Sequence, residues 1–329
     1  MIFVGKKHNT LSVVSVNLDD YMSRDLKLAN LSRRNMMKAT AALVATGAVA
    51  TISLKPNNDE KLNYVNSTQA VEHNERLASH LAASSENEEL AVKDNVDKIE
   101  RFDDNFEDDI FLPQKKLEIF NSTLKRVQRV QKTIGYANFN LVSFDEMLMY
   151  AHRFPSIGKF TQQELMLIEE LFSFDADRYG FYGDKVIKNL TDQINKKDTV
   201  KIAGSGHYLF QGDALKKFKQ LQSDVGPDLI LTSGVRSVVK QLHLFLAKLK
   251  SSQTNLSMAS RSLAPPGHSY HGIGDFDIGK RGFGINNFTA EFSNTAEYQK
   301  LIKLNYIDLR YTQNNQVGVR YEPWHIKVV

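Results

Sequence analysis

The hydrophobic positions of this chain change their period several times. From Lys116 onward, Leu117, Phe120, Leu124, Val127 and Ile134 recur at helical spacing, which predicts an amphipathic helix over 116–134. Ser143-Phe-Asp-Glu146 and Thr161-Gln-Gln-Glu164 fit the capping-box pattern, and apolar helical runs follow each. They predict helices over 144–153 and 162–173. The stretch 212–222 reads as a further helix ahead of Gly226-Pro227, and 238–249 as another. Leu229-Ile-Leu-Thr232 is a compact β-rich run and predicts a buried strand. Residues 275–278 and 321–328 read as strands too. The pattern predicts one α+β domain over 116–329, with a small, mostly antiparallel sheet flanked by helices. Its part over 116–200 is helical, and the sheet-bearing core covers 201–329.

Upstream the period is lost. Residues 51–115 are rich in Asn, Asp, Glu and Ser, and the reading is an acidic, largely disordered linker. Before it, Ser32-Arg-Arg-Asn-Met-Met-Lys38 precedes an uncharged stretch from Ala39 to Leu54 containing the small-x-small step Ala48-Val-Ala50. A charged, then apolar, then small-residue order makes a secretory signal. The pair Arg33-Arg34 gives it the character of a twin-arginine signal, whose partner is the machinery that exports folded proteins. The expectation is a signal peptide over 1–50, with translation starting at Met1 or Met22, and a periplasmic or otherwise exported product. The apolar run is shorter than the roughly 20 residues that span a bilayer, so no stable span is expected after processing.

Charge follows the same division. The net +4 of the 329 residues splits into +4 over 1–50, −8 over 51–115 and +8 over 116–329. A chain processed near residue 50 is close to neutral, and no basic run with interleaved aromatics appears, so nucleic acid is not an expected partner. Cysteine is absent, which excludes disulfides, thiol nucleophiles, iron–sulfur clusters and thiolate zinc sites. A metal here must use His, Asp or Glu. Asp175-Ala-Asp-Arg-Tyr-Gly180 has the start of a calcium loop but Val186 where a bidentate Glu belongs, and it reads as a polar turn. No Gly-x-Ser-x-Gly nucleophile elbow is present.

Three segments carry candidate chemistry: Ser233-Gly-Val-Arg-Ser237, Ser269-Tyr-His-Gly-Ile-Gly-Asp-Phe-Asp277 and Glu322-Pro-Trp-His325. Catalytic zinc takes three His or carboxylate ligands and keeps a fourth position for water. His271, Asp277 and His325 could supply two nitrogens and one oxygen. A second carboxylate must then accept the proton of that water, and Glu322, three residues before His325, is placed for it. Pro323 disfavours helix at Glu322, so the device should be an extended segment. Arg236 follows the expected buried strand and could meet a carboxylate or a developing oxyanion bidentately, with Gln241 supporting it.

These segments resemble the D-alanyl-D-alanine carboxypeptidases of the zinc metallopeptidase group that includes the vancomycin-resistance enzymes; the wider fold group also holds lysostaphin-type peptidases and the hedgehog signalling domain. The family pattern is Ser-x-His-x-x-Gly-x-Ala-x-Asp, then Glu-x-Trp-His, with Ser-Gly-Tyr-Arg-Ser upstream. Ser269, His271 and Gly274 match the first; Glu322, Trp324 and His325 match the second; Ser233, Gly234, Arg236 and Ser237 match the third, with Val235 in place of Tyr. The resemblance spans about 200–329. It implies one Zn2+ per chain on His271, Asp277 and His325, Glu322 as base and then acid, Arg236 against the substrate, Ser269 lining the site, and peptidoglycan stem peptides as substrate. One spacing departs: Asp277 lies six residues after His271, where the family has seven. Asp275 shares a strand face with Asp277 and stays open as the ligand in its place. Three further readings stay open beside D-Ala-D-Ala hydrolysis: an L,D-carboxypeptidase, a cross-link endopeptidase, and an inactive zinc-bearing wall-binding module.

Overall fold

A computed structural model describes residues 3–7, 10–14 and 94–329. The expected signal and most of the linker lie outside them, apart from two strands, β1 (Phe3–Lys7) and β2 (Thr10–Val14), which pair antiparallel. Among the described residues no helix is long and apolar enough to cross a membrane.

The helical part begins with α1 (Leu117–Ile134). Phe120, Leu124, Val127 and Val130 are buried at steps of three or four, so they form one stripe along the helix. Helices α2 (Phe144–Arg153) and α3 (Gln162–Ser173) start where the capping boxes predict, and both boxes are closed in both directions. Glu164 has a second role: besides accepting from the Thr161 amide at 2.8 Å, it accepts from Arg126 Nε of α1 at 2.8 Å, tying the helices together. These three helices pack on α5 (Val238–Ser251) and α6 (Leu256–Ser262) around Phe120, Val127, Ile168, Phe245 and Leu249. Each such buried side chain contributes roughly 1.5–3 kcal/mol.

A second core lies under the sheet. Helix α4 (Asp213–Val225) sets Phe218 and Leu221 against β5 (Leu229–Ser233) and β6 (Phe276–Lys280). The Phe218 and Phe276 rings meet edge to face, with centroids 5.8 Å apart. The sheet has the order β5-β6-β7, all antiparallel, with β7 at His325–Ile326. A hairpin of β3 (Thr199–Lys201) and β4 (Tyr208–Phe210) and the short helix α7 (Ala296–Leu301) complete this half. Phe276, Ile278 and Ile326 point into the core, so the alternating residues Asp277 and His325 point the other way.

Two expectations shift. The strand read over 321–328 shrinks to His325–Ile326, because Pro323 and Trp324 form a turn closed by the His325 amide on the Glu322 carbonyl at 3.2 Å. Residues 94–113, read as part of the acidic linker, pack on the domain. Residues 94–100 are helical, Ile99 and Leu112 are buried, and Asp109 pairs with Arg261 at 2.7 Å with both side chains buried. Arg261 also donates to the carbonyls of Phe102 and Asp104.

Candidate metal centre and substrate cleft

One rung across the sheet builds the site. Asp277 of β6 lies opposite His325 of β7 on one side and Ser233 of β5 on the other. Leu231 pairs with Ile278, so regular pairing would set Thr232 against Asp277. A bulge between Leu231 and Ser233 inserts one residue and moves Ser233 onto the face of Asp277. His271 comes from the short 3-10 turn Tyr270–Gly272 ahead of β6. The backbone at Gly234 approaches closely: a Cβ there would lie 2.0 Å from the Tyr208 carbonyl oxygen, so no larger residue fits.

His271, Asp277 and His325 each offer a ligand atom, and these atoms lie within 4.8 Å of one another, all three residues being buried. His271 Nε2 is 3.2 Å from Asp277 Oδ2, and His325 Nδ1 is 3.4 Å from Asp277 Oδ1. The outer nitrogens are already spoken for. His271 Nδ1 is 2.8 Å from the Gly234 carbonyl, which can only accept, so the proton sits on Nδ1 and the Nε2 lone pair faces inward. His325 Nε2 is 3.2 Å from Asp275 Oδ2, which leaves Nδ1 for the site. His271 Nε2 and Asp277 Oδ1 are buried without any hydrogen-bond partner. Buried polar atoms left in this way need a partner. Two imidazoles and a carboxylate oriented by outer hydrogen bonds are the donor set that zinc takes, and the residues fit it.

The electrostatics agree. Burial and the charge of Arg236 push His271 down to about 4 despite Asp277, so its imidazole is neutral and able to ligate. Burial alone would raise Asp277, but its contacts with His271 and with the Arg236 guanidinium hold it well below the usual carboxylate range. Burial would lower His325, yet hydrogen bonds to Asp275 and Glu322 and the charge of Asp277 outweigh it and push it up to about 9. A metal ion held at Nδ1 would take the place of that proton.

Asp275 lies outside the converging group of His271, Asp277 and His325 and stands behind His325. Arg310 grips it with Nε at 2.8 Å and Nη2 at 3.2 Å, and the Val328 amide donates to it at 2.8 Å. Arg310 in turn lies over the Tyr270 ring, 3.6 Å from its centroid. Glu322 Oε2 lies 3.4 Å from His325 Nδ1, brought there by the Pro323-Trp324 turn rather than by an extended strand. Arg236 is held at Nε by Ser233 Oγ, 2.9 Å, and at Nη2 by Asp277, 2.6 Å. Gln241 does not support Arg236 as the spacing suggested: its Nε2 donates to the Ala264 carbonyl, and its buried Oε1 has no partner. Ser269 and Gln241 line a cavity of about 120 Å³ together with Arg236, Glu322 and the three candidate ligands. Motif reading missed Ser233 as the anchor of Arg236, and it missed Tyr311. The Tyr311 ring lines the same cavity, its centroid 4.9 Å from that of His325. Burial and Glu322 raise its hydroxyl, so it stays protonated.

Residues 210–329 match the family model VanY, D-alanyl-D-alanine carboxypeptidase, so the resemblance read from the three motifs is borne out over that span. No curated protein sequence matches the chain. Among solved structures, the LdcB LD-carboxypeptidase is 28% identical over 40% of this chain and 63% of its own, with a TM-score of 0.32. The chain thus spans less than two thirds of that relative. VanYB in complex with D-alanine-D-alanine is 24% identical over 40% of this chain and 76% of its own, with a TM-score of 0.33. The vancomycin-resistance D,D-pentapeptidase VanY, a mutant in complex with Zn(II), is 21% identical over 44% and 87%, with a TM-score of 0.31.

Proposed function

We propose that the domain matching the D-alanyl-D-alanine carboxypeptidase family is the catalytic part of an exported, zinc-dependent carboxypeptidase. Its substrate is the terminal D-Ala-D-Ala bond, or a related bond, of peptidoglycan stem peptides. The observation that carries the reading is the convergence of His271, Asp277 and His325 on one point, beside a carboxylate that ligation does not need. Export and an extracytoplasmic site of action are supported by the order of charged, apolar and small residues over 32–54.

Zinc bound there would lower the pKa of a water molecule and polarise the scissile carbonyl. The chain supplies the rest. Glu322 accepts a proton at its carboxylate and passes it to the leaving amine, its position fixed by its own amide on the Tyr311 carbonyl at 3.0 Å. Arg236 lines the cavity beside the ligand rung and carries the positive charge that a carbonyl oxygen needs as it becomes negative. Gln241 Oε1, Ser269 and the Tyr311 hydroxyl offer polar contacts for the peptide. A binding module has no use for Glu322, which favours the enzyme.

The test is metal analysis of the purified protein joined to product identification from synthetic stem peptides. One zinc per chain and release of free D-alanine from a pentapeptide are expected. Release from a tetrapeptide instead establishes the L,D-carboxypeptidase, and cleavage of a cross-linked dimer the endopeptidase. Stoichiometric zinc with no product from any of them refutes the enzyme reading.

A further inference from the structure

Arg320 stands apart from the other arginines of the domain interior. Arg126, Arg236, Arg261 and Arg310 each reach a carboxylate: Glu164, Asp277, Asp109 and Asp275. Arg320 forms an ion pair with no described residue. Its Nη2 donates to the Phe288 carbonyl at 3.0 Å, and its Nε is buried with no partner. The guanidinium is clamped between two rings, 4.7 Å from the Phe102 centroid and 5.1 Å from that of Trp324. It lines the same cavity as Glu322 and His325.

Such a group is preorganised. Stacking between two aromatic faces removes the rotamer freedom that an exposed arginine keeps, and aims the planar fork. The charge sits half-buried without a counterion, a costly arrangement that an anion relieves. A guanidinium fork matches a carboxylate through two parallel hydrogen bonds. Neither Arg320 nor its clamp residue Phe102 belongs to the three motifs, and Arg236 already has the proposed role at the reacting carbonyl.

We propose that Arg320 is a substrate-recognition residue that binds a carboxylate of the peptide other than the reacting group. This rests on the proposed function. The carboxylate is either the free C-terminus or a side-chain carboxylate of the stem, and the experiment separates the two.

Binding is read instead of turnover, so that the outcome does not depend on catalysis. The zinc-loaded Glu322→Gln protein is titrated calorimetrically with three stem pentapeptides: unmodified, C-terminally amidated, and amidated at the stem side-chain carboxylates. Amidating the recognised carboxylate should weaken binding at least about tenfold. In the Glu322→Gln/Arg320→Gln protein, checked for unchanged zinc content and circular dichroism, the unmodified peptide should bind as weakly as that amide, and the discrimination should vanish. Arg320→Lys should restore part of it. Undiminished discrimination in the Arg320→Gln protein overturns this inference alone. If it loses its fold, Phe102→Ala replaces it, and unchanged discrimination there is equally fatal. Binding of none of the peptides by the parent protein overturns the proposed function and this inference with it.

Discussion

Asp275 Oδ2 lies 3.2 Å from Nε2 of His325, on the side of the ring away from Asp277. The contact sets the tautomer and the orientation of His325, and it is itself fixed by the two-pronged grip of Arg310. Asp275→Asn keeps the shape but removes the charge and the strong acceptor. Loss of such an outer partner weakens metal binding by about 10–100-fold. Competition against a chelator of known affinity measures it; equal zinc affinity in the variant and the parent rules out this role.

Glu322→Gln separates ligation from proton transfer. Glu322 is not among the three converging ligands, so the variant should keep one zinc per chain. Its kcat should fall by at least about a hundredfold, the loss expected when a general base is removed. Turnover at the parent rate with full zinc would take Glu322 out of the mechanism.

Gly234→Ala tests why the Ser-Gly-x-Arg-Ser turn carries glycine. The added methyl would lie 2.0 Å from the Tyr208 carbonyl oxygen, so the backbone must move, and the Gly234 carbonyl that orients His271 must move with it. A cost of about 1–3 kcal/mol or more is expected, together with weaker zinc binding. Thermal unfolding and zinc stoichiometry should change together; a stable variant with normal zinc content contradicts the account.

The features legible in the sequence are the local ones. α2 and α3 start where Ser143 and Thr161 predict, because a capping box is satisfied within four residues. The candidate ligands His271 and His325 were legible because each lies in a short contiguous motif. The choice between Asp275 and Asp277 was not, since residues two apart share a strand face. What separates them is pairing with His325 across the sheet and capture by Arg310, 35 residues away. The fold of 94–113 was hidden for the same reason. Its composition is that of a linker, and the partner that orders it, Arg261, is 152 residues from Asp109.

His243 gives acid sensitivity away from the site. It is buried in α5 against the edge of the Phe139 ring, both ring nitrogens lack partners, and burial with nearby Lys240 lowers it to about 4 from 6.5. The unfolded chain therefore takes up this proton first. The contribution of His243 to stability is intact above about pH 6.5 and is lost as pH falls toward 4, by on the order of 3 kcal/mol. His243→Leu should flatten the fall in urea-unfolding free energy over that window. An unchanged slope means that the imidazole stays solvated.

The pair of Asp109 with Arg261 decides whether 94–113 is part of the domain. Both side chains are buried, and Asp109 also accepts from Asn255 Nδ2 at 2.6 Å and from the Phe106 amide at 3.0 Å. Burial would raise its carboxyl, but the hydrogen bonds from Arg261, Asn255 and Phe106 hold it below the usual range. Its stabilising effect is thus present at neutral pH and lost as pH falls through the carboxylate range. Asp109→Ala would leave Arg261 charged, buried and facing only carbonyls. Removing one partner of such a pair costs about 3–5 kcal/mol. The same change would release the Phe102 ring from Arg320. The expected result is lower stability at pH 7, a smaller loss on acidification than in the parent, and new protease cleavage between residues 94 and 113. If Asp109→Ala leaves stability and the cleavage pattern unchanged, the segment is a tether and not a part of the fold.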